Sequence, residues 1–567
     1  MRKFLSFLFL LPSLVVGQRL PAPQPPKPPE FTRADTLRGS LLPERSCYDV
    51  KYYHLDVKVD PSTKTIKGSN TILFRVDSAF DRMQVDLFRN LDIDRIVLDD
   101  NAEATCSREF NAVHVQLPKT LEQYSLHSVT VYYGGAPTVA QRPPWQGGLT
   151  WAKDSSGNPW VVVTCQGIGA SIWWPLKDHQ SDEPDSMLIS ITVPPGLEDV
   201  SNGRLRAVTD LPDGWKRYDW FVSYPINSYC VTLNIGKYAH FSDKYVHGST
   251  LTLDYYVLPE SLKKARSTFR QVKSMMDAYY EYFGEYPFIR DGYKLVECPH
   301  TGMEHQSAVA YGNLFLEGYR GRASSEVGLK FDFIIVHESA HEWWGNNVTA
   351  KDVADMWIHE SFGAYAEALF VEHLYGYKEA LTYVNGKKQN VRNQEPIIGV
   401  YNVQHEGAGD MYDKGQLVLN TVRSVINDDA LWFSILRGIQ EKFRYQTVTA
   451  EDIFGYINQR SGKDLTKVFD QYFRHPQIPE LIVYIVKKGN DVTARYRWNA
   501  DVKDFNMPIR VTTSENTYTF IYPTTTMQTI KLGKIRPEDF KIESDRFYAD
   551  LRLNWSYLDP RLPELRR

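Results

Sequence analysis

The sequence predicts a multidomain α+β protein, in which an N-terminal all-β domain, a mainly helical domain and a C-terminal β-sandwich follow one another. Its 567 residues exceed what one hydrophobic core usually holds. The spacing of its apolar residues changes from two to about 3.6 and later returns to two. The composition, 43% hydrophobic and 24% charged, is typical of globular proteins, and a net charge of −4 without a long basic run argues against a nucleic-acid partner.

The first residues are predicted to form an export signal. Arg2 and Lys3 precede an apolar run at 4–16, and Gly17 ends a plausible cleavage site, so residues 1–17 read as a signal peptide. The run is shorter than the about 20 apolar residues that span a bilayer, and no later segment is longer. We therefore expect a periplasmic or extracellular protein that does not span the membrane.

A proline-rich tether and an all-β domain are predicted next. The tether is assigned to 18–45, because it begins with six prolines in nine residues, a composition that favours extended chain. Short alternating strands follow, and Leu55, Val57 and Val59 share one face of the first of them. The all-β domain is assigned to 46–241.

A mainly helical domain is predicted over 242–475, and a smaller β-sandwich over 476–567. The period of 3.6 begins near an amphipathic segment at 261–283, which we expect to be one helix. After the helical part, alternation returns with Leu481 and Val483.

The cysteines do not form a framework of disulfides. There are only five in a long chain, an odd number, and their spacing matches no zinc-binding pattern. We expect mostly buried thiols with one or two disulfides at most.

A single short motif carries the chemistry. His337, Glu338 and His341 form H-E-x-x-H within an apolar segment. On a helix, residues four apart lie on one face, so the two histidines can share a metal ion while the glutamate reaches a water on it. A chance match is expected only ~0.02 times per chain of this composition. The alternative is a surface helix with two unrelated histidines.

A third metal ligand is predicted at Glu360. Catalytic zinc takes three protein ligands and leaves one position to water. Glu360 lies nineteen residues after His341, at the start of a second apolar-periodic segment that can pack antiparallel to the first. The sequence therefore predicts one zinc ion per chain, although a glutamate in isolation is more often a solvent-exposed helix residue. The neighbouring His359 is assigned to packing or solvent.

These residues carry a family resemblance. His337 to His341, eighteen residues and then Glu360 resemble the H-E-x-x-H-x18-E signature of peptidase family M1, the aminopeptidase N-like zinc gluzincins. Residues 301–305 (TGMEH) resemble the family's G-x-M-E-N motif, and residues 411–415 (MYDKG) resemble its Y-x-K-G segment. The resemblance implies a thermolysin-like catalytic domain, in a short form that lacks the helical C-terminal domain of many relatives.

The resemblance also implies roles for individual residues. Glu338 is the general base, and Tyr412 donates a hydrogen bond to the developing oxyanion. Glu304, within a motif that also supplies Gly302 and Met303 to the substrate site, binds the free ammonium group of a peptide substrate, with Gln166 as its partner from the first domain. Thr301 and His305 depart from the family motif.

The activity that these roles imply is removal of N-terminal residues from peptides by a zinc-activated water. Two alternatives stay open at this point. One is a thermolysin-type zinc endopeptidase, which has no use for Glu304. The other is a catalytically inactive peptide-binding protein on the same fold. The sequence does not predict the oligomeric state.

Overall fold

The computed structural model describes residues 30–99, 102–488, 491–514 and 517–558, with the side chains of residue 491 and of 556–558 left out. The predicted signal peptide and the first part of the predicted tether lie outside these residues. Within the described part of the chain, no helix is both long and apolar enough to cross a membrane.

The end of the predicted tether is helical rather than extended. Helices α1 (Arg33–Gly39) and α2 (Pro43–Ser46) occupy it. Thr32 and Asp35 form a capping box at the start of α1, and a proline at the first position of α2 fits a helix N-terminus. Arg45 is fully buried and donates to Asp86 at 2.8 Å. The tether prediction is therefore wrong for these residues, because the proline-rich run at 21–29 ends before the first helix begins.

An extensive β structure follows α2. Ten strands pair in the order β12-β13-β10-β1-β2-β7-β4-β5-β6-β3, and four more pair in the order β11-β14-β9-β8. Leu55, Val57 and Val59 are all buried on one face of β1, as predicted. The strands are β1 (Tyr48–Asp60), β2 (Thr65–Val76), β3 (Phe80–Asp86), β4 (Leu91–Leu98), β5 (Ala102–Glu109), β6 (Ala112–Leu121), β7 (Leu126–Gly135), β8 (Gly148–Lys153), β9 (Pro159–Thr164), β10 (Ser186–Val193), β11 (Glu198–Asp199), β12 (Arg204–Asp210), β13 (Lys216–Val222) and β14 (Asn234–Gly236).

A five-stranded mixed sheet stands between this β region and the helices. Its order is β15-β16-β17-β19-β18, and its strands extend beyond residue 241, where the N-terminal all-β domain was predicted to end. Alternation in β16 buries Leu251, Leu253 and Tyr255, so a strand pattern continues there. The strands are β15 (Ala239–His247), β16 (Ser249–Val257), β17 (Tyr293–Glu297), β18 (Gly302–Met303) and β19 (Val309–Tyr311).

The middle of the chain is mainly helical. The single helix predicted at 261–283 is interrupted at residues 269–270, where α3 ends and α4 begins. The α-helices are α3 (Leu262–Thr268), α4 (Gln271–Phe283), α5 (Phe333–Ala340), α6 (Trp357–Tyr375), α7 (Tyr377–Gly386), α8 (Asp413–Ile426), α9 (Asp429–Lys442), α10 (Ala450–Ser461) and α11 (Thr466–Phe469). Strands β20 (Val348–Ala350) and β21 (Gln446–Val448) pair in parallel among them.

Shorter helical turns connect these elements. The 3-10 turns are Ala170–Ile172, Ser228–Cys230, Pro259–Ser261, Glu326–Leu329, Val353–Asp355, Lys387–Asn390, Gly409–Met411 and Pro537–Asp539, and a π-turn covers Asp470–Arg474. Two of them, Ser228–Cys230 and Gly409–Met411, lie next to the candidate site described below.

The last part of the chain returns to β structure. Four strands pair in the order β26-β23-β22-β27, and β24 pairs with β25. Leu481 and Val483 are buried on β22, in agreement with the predicted alternation. The strands are β22 (Glu480–Lys488), β23 (Asp491–Asn499), β24 (Ile509–Ser514), β25 (Thr517–Ile521), β26 (Gln528–Leu532) and β27 (Asp550–Leu558). The packing of these sheets into a sandwich, like the domain boundaries, stays a prediction.

Two hydrophobic cores meet at the five-stranded sheet. One core belongs to the N-terminal β region, and the other runs through the helices into the C-terminal strands. Met303 and Ala310, which pair across β18 and β19, pack into the N-terminal core. The start of the predicted G-x-M-E-N-like segment therefore lies where the two parts of the protein join.

The cysteines are free thiols in this structure. Cys47, Cys165, Cys230 and Cys298 are buried, and Cys106 is exposed. The disulfides allowed for above do not form.

Candidate active site

The H-E-x-x-H residues lie where α5 ends. Asp332 caps this helix by accepting hydrogen bonds from the backbone of Ile334 and Ile335. His337 and Glu338 are in its last turns, and His341 follows at the C-cap with helical backbone angles. The two histidine rings are 5.0 Å apart between centroids. The spacing of four residues has placed both rings on one side of the helix, as predicted.

Glu360 completes a cluster of three ligands. It lies in the first turn of α6, and its Oε2 is 3.6 Å from Nε2 of His337 and 3.5 Å from Nε2 of His341. All three ligand atoms lie within 4.8 Å of one another. Tetrahedral zinc with ligand bonds of 2.0–2.2 Å would separate its ligand atoms by about 3.4 Å. Oε2 of Glu360 is also buried and has no hydrogen-bond partner among the described residues, so this donor set fits a zinc ion.

The outer nitrogen of each histidine has its own partner. Nδ1 of His337 is 2.7 Å from Oε1 of Glu367, and Nδ1 of His341 is 2.9 Å from the carbonyl oxygen of Trp344. Because both partners accept, each Nδ1 carries the proton and each Nε2 presents a lone pair to the cluster centre. Sequence reasoning missed Glu367, although it follows Glu360 by seven residues, two helical turns, on the same face of α6.

The buried carboxylate of Glu338 packs closely against strand β18. Burial raises its pKa to about 7. Gly302, on β18, lies against it so closely that a Cβ at this position would be 2.6 Å from Glu338 Oε1. Glycine at 302 thus lets the strand pass beside the carboxylate.

Tyr412 lies between a 3-10 turn (Gly409–Met411) and α8. Its ring centroid is 6.0 Å from that of His337, and its hydroxyl interacts with Glu360. Burial raises the pKa of Tyr412 well above its usual value. The phenol therefore keeps its proton and can act as a hydrogen-bond donor.

Glu304 is held at the end of β18 by groups from two parts of the chain. Tyr229 donates its hydroxyl to Oε1 at 3.1 Å, and Asn346 donates its amide to the backbone oxygen at 3.0 Å. The side chain is 2% exposed. Burial raises the pKa of Glu304 well above its usual range, and the carboxylates of Glu360 and Glu338 add to this effect.

Gln166 reaches the site from the N-terminal β region, but it contacts a different residue from the one expected. Its amide donates to Oε1 of Glu360 rather than pairing with Glu304. Gln166 nevertheless lines the same cavity as Glu304. Joint binding of a substrate ammonium group by Glu304 and Gln166 stays a prediction, and it requires that the substrate occupy this shared cavity.

Gly302 and Met303 face opposite ways, as successive strand residues do. Gly302 lines the cavity, whereas the side chain of Met303 is buried in the N-terminal core. The predicted contact of Met303 with substrate is therefore not made by its side chain.

The two departures from the family motif lie on either side of Glu304. Thr301 lines the cavity, and Tyr319 donates to its hydroxyl at 3.5 Å. His305 is 1% exposed, and neither ring nitrogen has a hydrogen-bond partner in the described structure. Burial lowers the pKa of His305 to about 3, so the ring is neutral.

A cavity of about 650 Å³ connects these groups. It is lined by the three candidate ligands together with Glu338, Tyr412, Glu304 and Gln166. Its walls also include Trp145 and the basic side chains Arg322 and Lys387. The volume is in the range of cavities that bind small ligands.

Comparison with known families places this site in a defined class. Residues 267–472 match the Peptidase family M1 domain. The segment contains Glu304, the H-E-x-x-H residues, Glu360 and Tyr412. The chain thus carries a domain of peptidase family M1, which confirms the resemblance drawn from its motifs.

Curated relatives are aminopeptidases by name. A probable aminopeptidase 1 of Saccharolobus solfataricus is 21% identical over 355 residues, which are 59% of this chain and 44% of the relative. Human glutamyl aminopeptidase is 24% identical over 327 residues, which are 54% of this chain and 33% of the relative. The chain therefore spans less than half the length of these relatives.

Solved structures share the fold. An M1 zinc metallopeptidase of Deinococcus radiodurans, crystallised as a mutant with a Tyr-Ser-Ala substrate, matches with a TM-score of 0.63 at 18% identity. The match covers 78% of this chain and 98% of that one. A further crystal structure of the metallopeptidase from that organism gives a TM-score of 0.64. The predicted succession of a β-rich region and a helical region is confirmed in outline.

Proposed function

We propose that this protein is an exported zinc aminopeptidase, which hydrolyses the N-terminal residue from peptides with a free amino terminus. The observation that carries the proposal is the position of Glu304. This buried carboxylate lines the same cavity as His337, His341 and Glu360. A peptide whose ammonium group pairs with Glu304 has its first carbonyl close to the ligand cluster.

The buried negative charge of the site favours the binding of two cations. Glu304, Glu338 and Glu360 are all buried around one cavity. Burying several carboxylates is unfavourable unless positive charge compensates them. A zinc ion beside Glu360 and a substrate ammonium beside Glu304 would supply that charge.

The catalytic roles follow from the chemistry of the side chains. His337, His341 and Glu360 would hold a zinc ion, which when bound would act as a Lewis acid and make a water molecule more acidic. Glu338 takes the proton of the attacking water on its carboxylate and returns it to the leaving amine. Tyr412 donates its hydroxyl proton in a hydrogen bond to the carbonyl oxygen as negative charge develops there.

The two alternatives are less well supported. A thermolysin-type endopeptidase would have to place an uncharged internal peptide against Glu304, leaving a buried carboxylate without a cation. A catalytically inactive binding protein has no need of the complete set of Glu338, Tyr412 and three ligands. The names of the curated relatives also favour an aminopeptidase.

Export is proposed from the sequence alone. The basic residues, apolar run and small residue of segment 1–17 suit a cleaved signal, with a periplasmic or extracellular destination. Sequencing of the mature N-terminus after expression in a secreting host tests it, and an intact residue 1 in the processed protein would contradict it.

Activity is tested with matched free and blocked substrates. The purified protein is assayed against a panel of aminoacyl p-nitroanilides and their N-acetylated forms, with Glu338→Gln as the inactive control. We expect cleavage of the free forms alone, because acetylation removes the charge that Glu304 pairs with. With a longer peptide, mass spectrometry should show residues released one at a time from the N-terminus. Efficient internal cleavage of a blocked peptide would establish the endopeptidase instead.

A further inference from the structure

A chain of hydrogen bonds leads from the backbone to the carboxylate of Glu304. Ala350, at the end of β20, donates its N–H to Nε2 of His359 at 2.7 Å. Nδ1 of His359 is 3.1 Å from the hydroxyl oxygen of Tyr229, and that hydroxyl is 3.1 Å from Oε1 of Glu304. The side chains that form this series of hydrogen bonds are all buried.

The direction of each hydrogen bond is determined by its first member. A backbone N–H can only donate, so Nε2 of His359 must offer its lone pair. A neutral imidazole then carries its proton on Nδ1, which donates to the oxygen of Tyr229. The hydroxyl proton of Tyr229 is left for Glu304, whose carboxylate accepts it. Reversing either of the first two links would oppose two donors.

The chain joins both halves of the site. Tyr229 comes from a 3-10 turn (Ser228–Cys230) in the N-terminal β region, whereas His359 precedes the candidate ligand Glu360 on α6. The two rings stack at 18°, with centroids 6.2 Å apart. The backbone of Gly345 approaches the His359 ring so closely that a Cβ would lie 3.2 Å from Cγ. The imidazole therefore has little freedom to turn away.

We infer that Tyr229 and His359 are positioning residues that orient the Glu304 carboxylate toward the ammonium group of the substrate. This inference rests on the proposed aminopeptidase function. Tyr229 occupies one oxygen of Glu304, and the other oxygen keeps its lone pairs for a cation. His359 and the candidate ligand Glu360 are neighbours on α6, so these hydrogen bonds also fix the position of the Glu304 carboxylate relative to the ligand cluster.

The first test is Tyr229→Phe, which removes the hydroxyl and keeps the ring. With the p-nitroanilide that the wild type cleaves best, we expect KM to rise ~10-fold to ~100-fold, the usual effect of losing a hydrogen bond to a charged group. Turnover should change far less, because Tyr229 is not among the residues that line the cavity. The matched control is Tyr48→Phe, which removes a buried hydroxyl that donates to the Gln84 carbonyl oxygen, and neither of these residues lines the cavity. Zinc content and thermal midpoint are measured for both variants.

A double-mutant cycle connects the effect to Glu304. On a Glu304→Gln background, adding Tyr229→Phe should change KM by no more than about twofold, since the interaction has already been weakened. An equal rise in KM on both backgrounds would show that Tyr229 acts by another route and would overturn the inference.

His359 is tested by rescue. His359→Leu removes the donor to Tyr229 and should raise KM, whereas His359→Asn presents an amide nitrogen near the position of Nδ1 and should restore much of the loss. Equal KM values for the two variants, at equal zinc content, would overturn the role of His359. In the wild type, nitrogen NMR of labelled histidine should show a protonated Nδ1 and a bare Nε2 for this ring, and the opposite tautomer would also overturn it.

The outcomes separate the inference from the function it rests on. If the wild type cleaves free substrates and rejects blocked ones while Tyr229→Phe keeps the wild-type KM, the inference fails and the proposed function stands. If the wild type cleaves N-acetylated peptides internally, the proposed function fails and the inference fails with it.

Discussion

A Cβ atom added to Gly302 would lie 2.6 Å from Oε1 of Glu338. The strand that leads to Glu304 thus passes the candidate base with no space between them. The next two nearest atoms are also in the Glu338 side chain, at 2.9 Å. A substitution at 302 therefore acts on the position of the base.

For Gly302→Ala we expect a displaced Glu338 carboxylate and a fall in kcat of up to ~10²-fold, since a shift of about 1 Å in a reacting group can have this effect. Gly455→Ala is the control: Gly455 lies on the exposed face of α10, where an added Cβ would meet no described atom within 4 Å beyond its own helix backbone, and the variant should keep wild-type kinetics. Wild-type kcat for Gly302→Ala would contradict the close contact.

The roles of Glu338 and His337 differ, and metal analysis separates them. We expect Glu338→Gln to lose most turnover, since general bases contribute about 10²- to 10⁴-fold, while retaining one zinc ion per chain. His337→Ala removes one of three ligands and should lose both zinc and activity. Chelation of the wild type should likewise abolish activity, and added zinc should restore it.

Loss of zinc in the Glu338→Gln variant would assign this residue a ligand role. The geometry argues against that, because Glu338 is not among the three residues whose ligand atoms converge.

Some parts of this site follow from sequence spacing, and others depend on the folded chain. The i, i+4 relation of His337 and His341 is local, so helix geometry alone predicted it. Glu367 lies on the same helix as Glu360 and could have been found by the same periodicity. Tyr229 could not, because its approach to Glu304 joins residues 75 positions apart through two packed cores.

The contact of Gln166 shows the limit of inference from a motif. Its place in the cavity was predicted, but its donation to Glu360 depends on side-chain packing across 194 positions of sequence. The helices at 33–46 were missed for a related reason. These helices are too short to show a clear apolar period. The buried contact of Arg45 with Asp86 stabilises them, and this contact joins residues 41 positions apart that the local sequence does not connect.

Tyr412 is expected to act in the transition state rather than in substrate binding. Tyr412→Phe keeps the ring and removes the hydroxyl donor, so kcat should fall ~10²- to 10³-fold, or about 2.7–4 kcal/mol, with KM changed little. Steady-state kinetics at known zinc content measure both constants. A raised KM with preserved kcat would show that the phenol positions substrate instead.

The buried, neutral His305 predicts a pH dependence of stability. Burial lowers its pKa to about 3, whereas an unfolded histidine titrates near 6.5. Between these values the unfolded state binds a proton that the folded state does not, so the free energy of unfolding falls as the pH drops below about 6.5. One such group contributes a slope of up to about 1.36 kcal/mol per pH unit.

The variant His305→Leu should remove this contribution, and its free energy of unfolding should therefore decline less steeply between about pH 6 and pH 4. Denaturant titrations of both proteins at several pH values give the two slopes. Equal slopes for wild type and His305→Leu would mean that the folded protein accepts a proton at His305, in contradiction to its burial without partners.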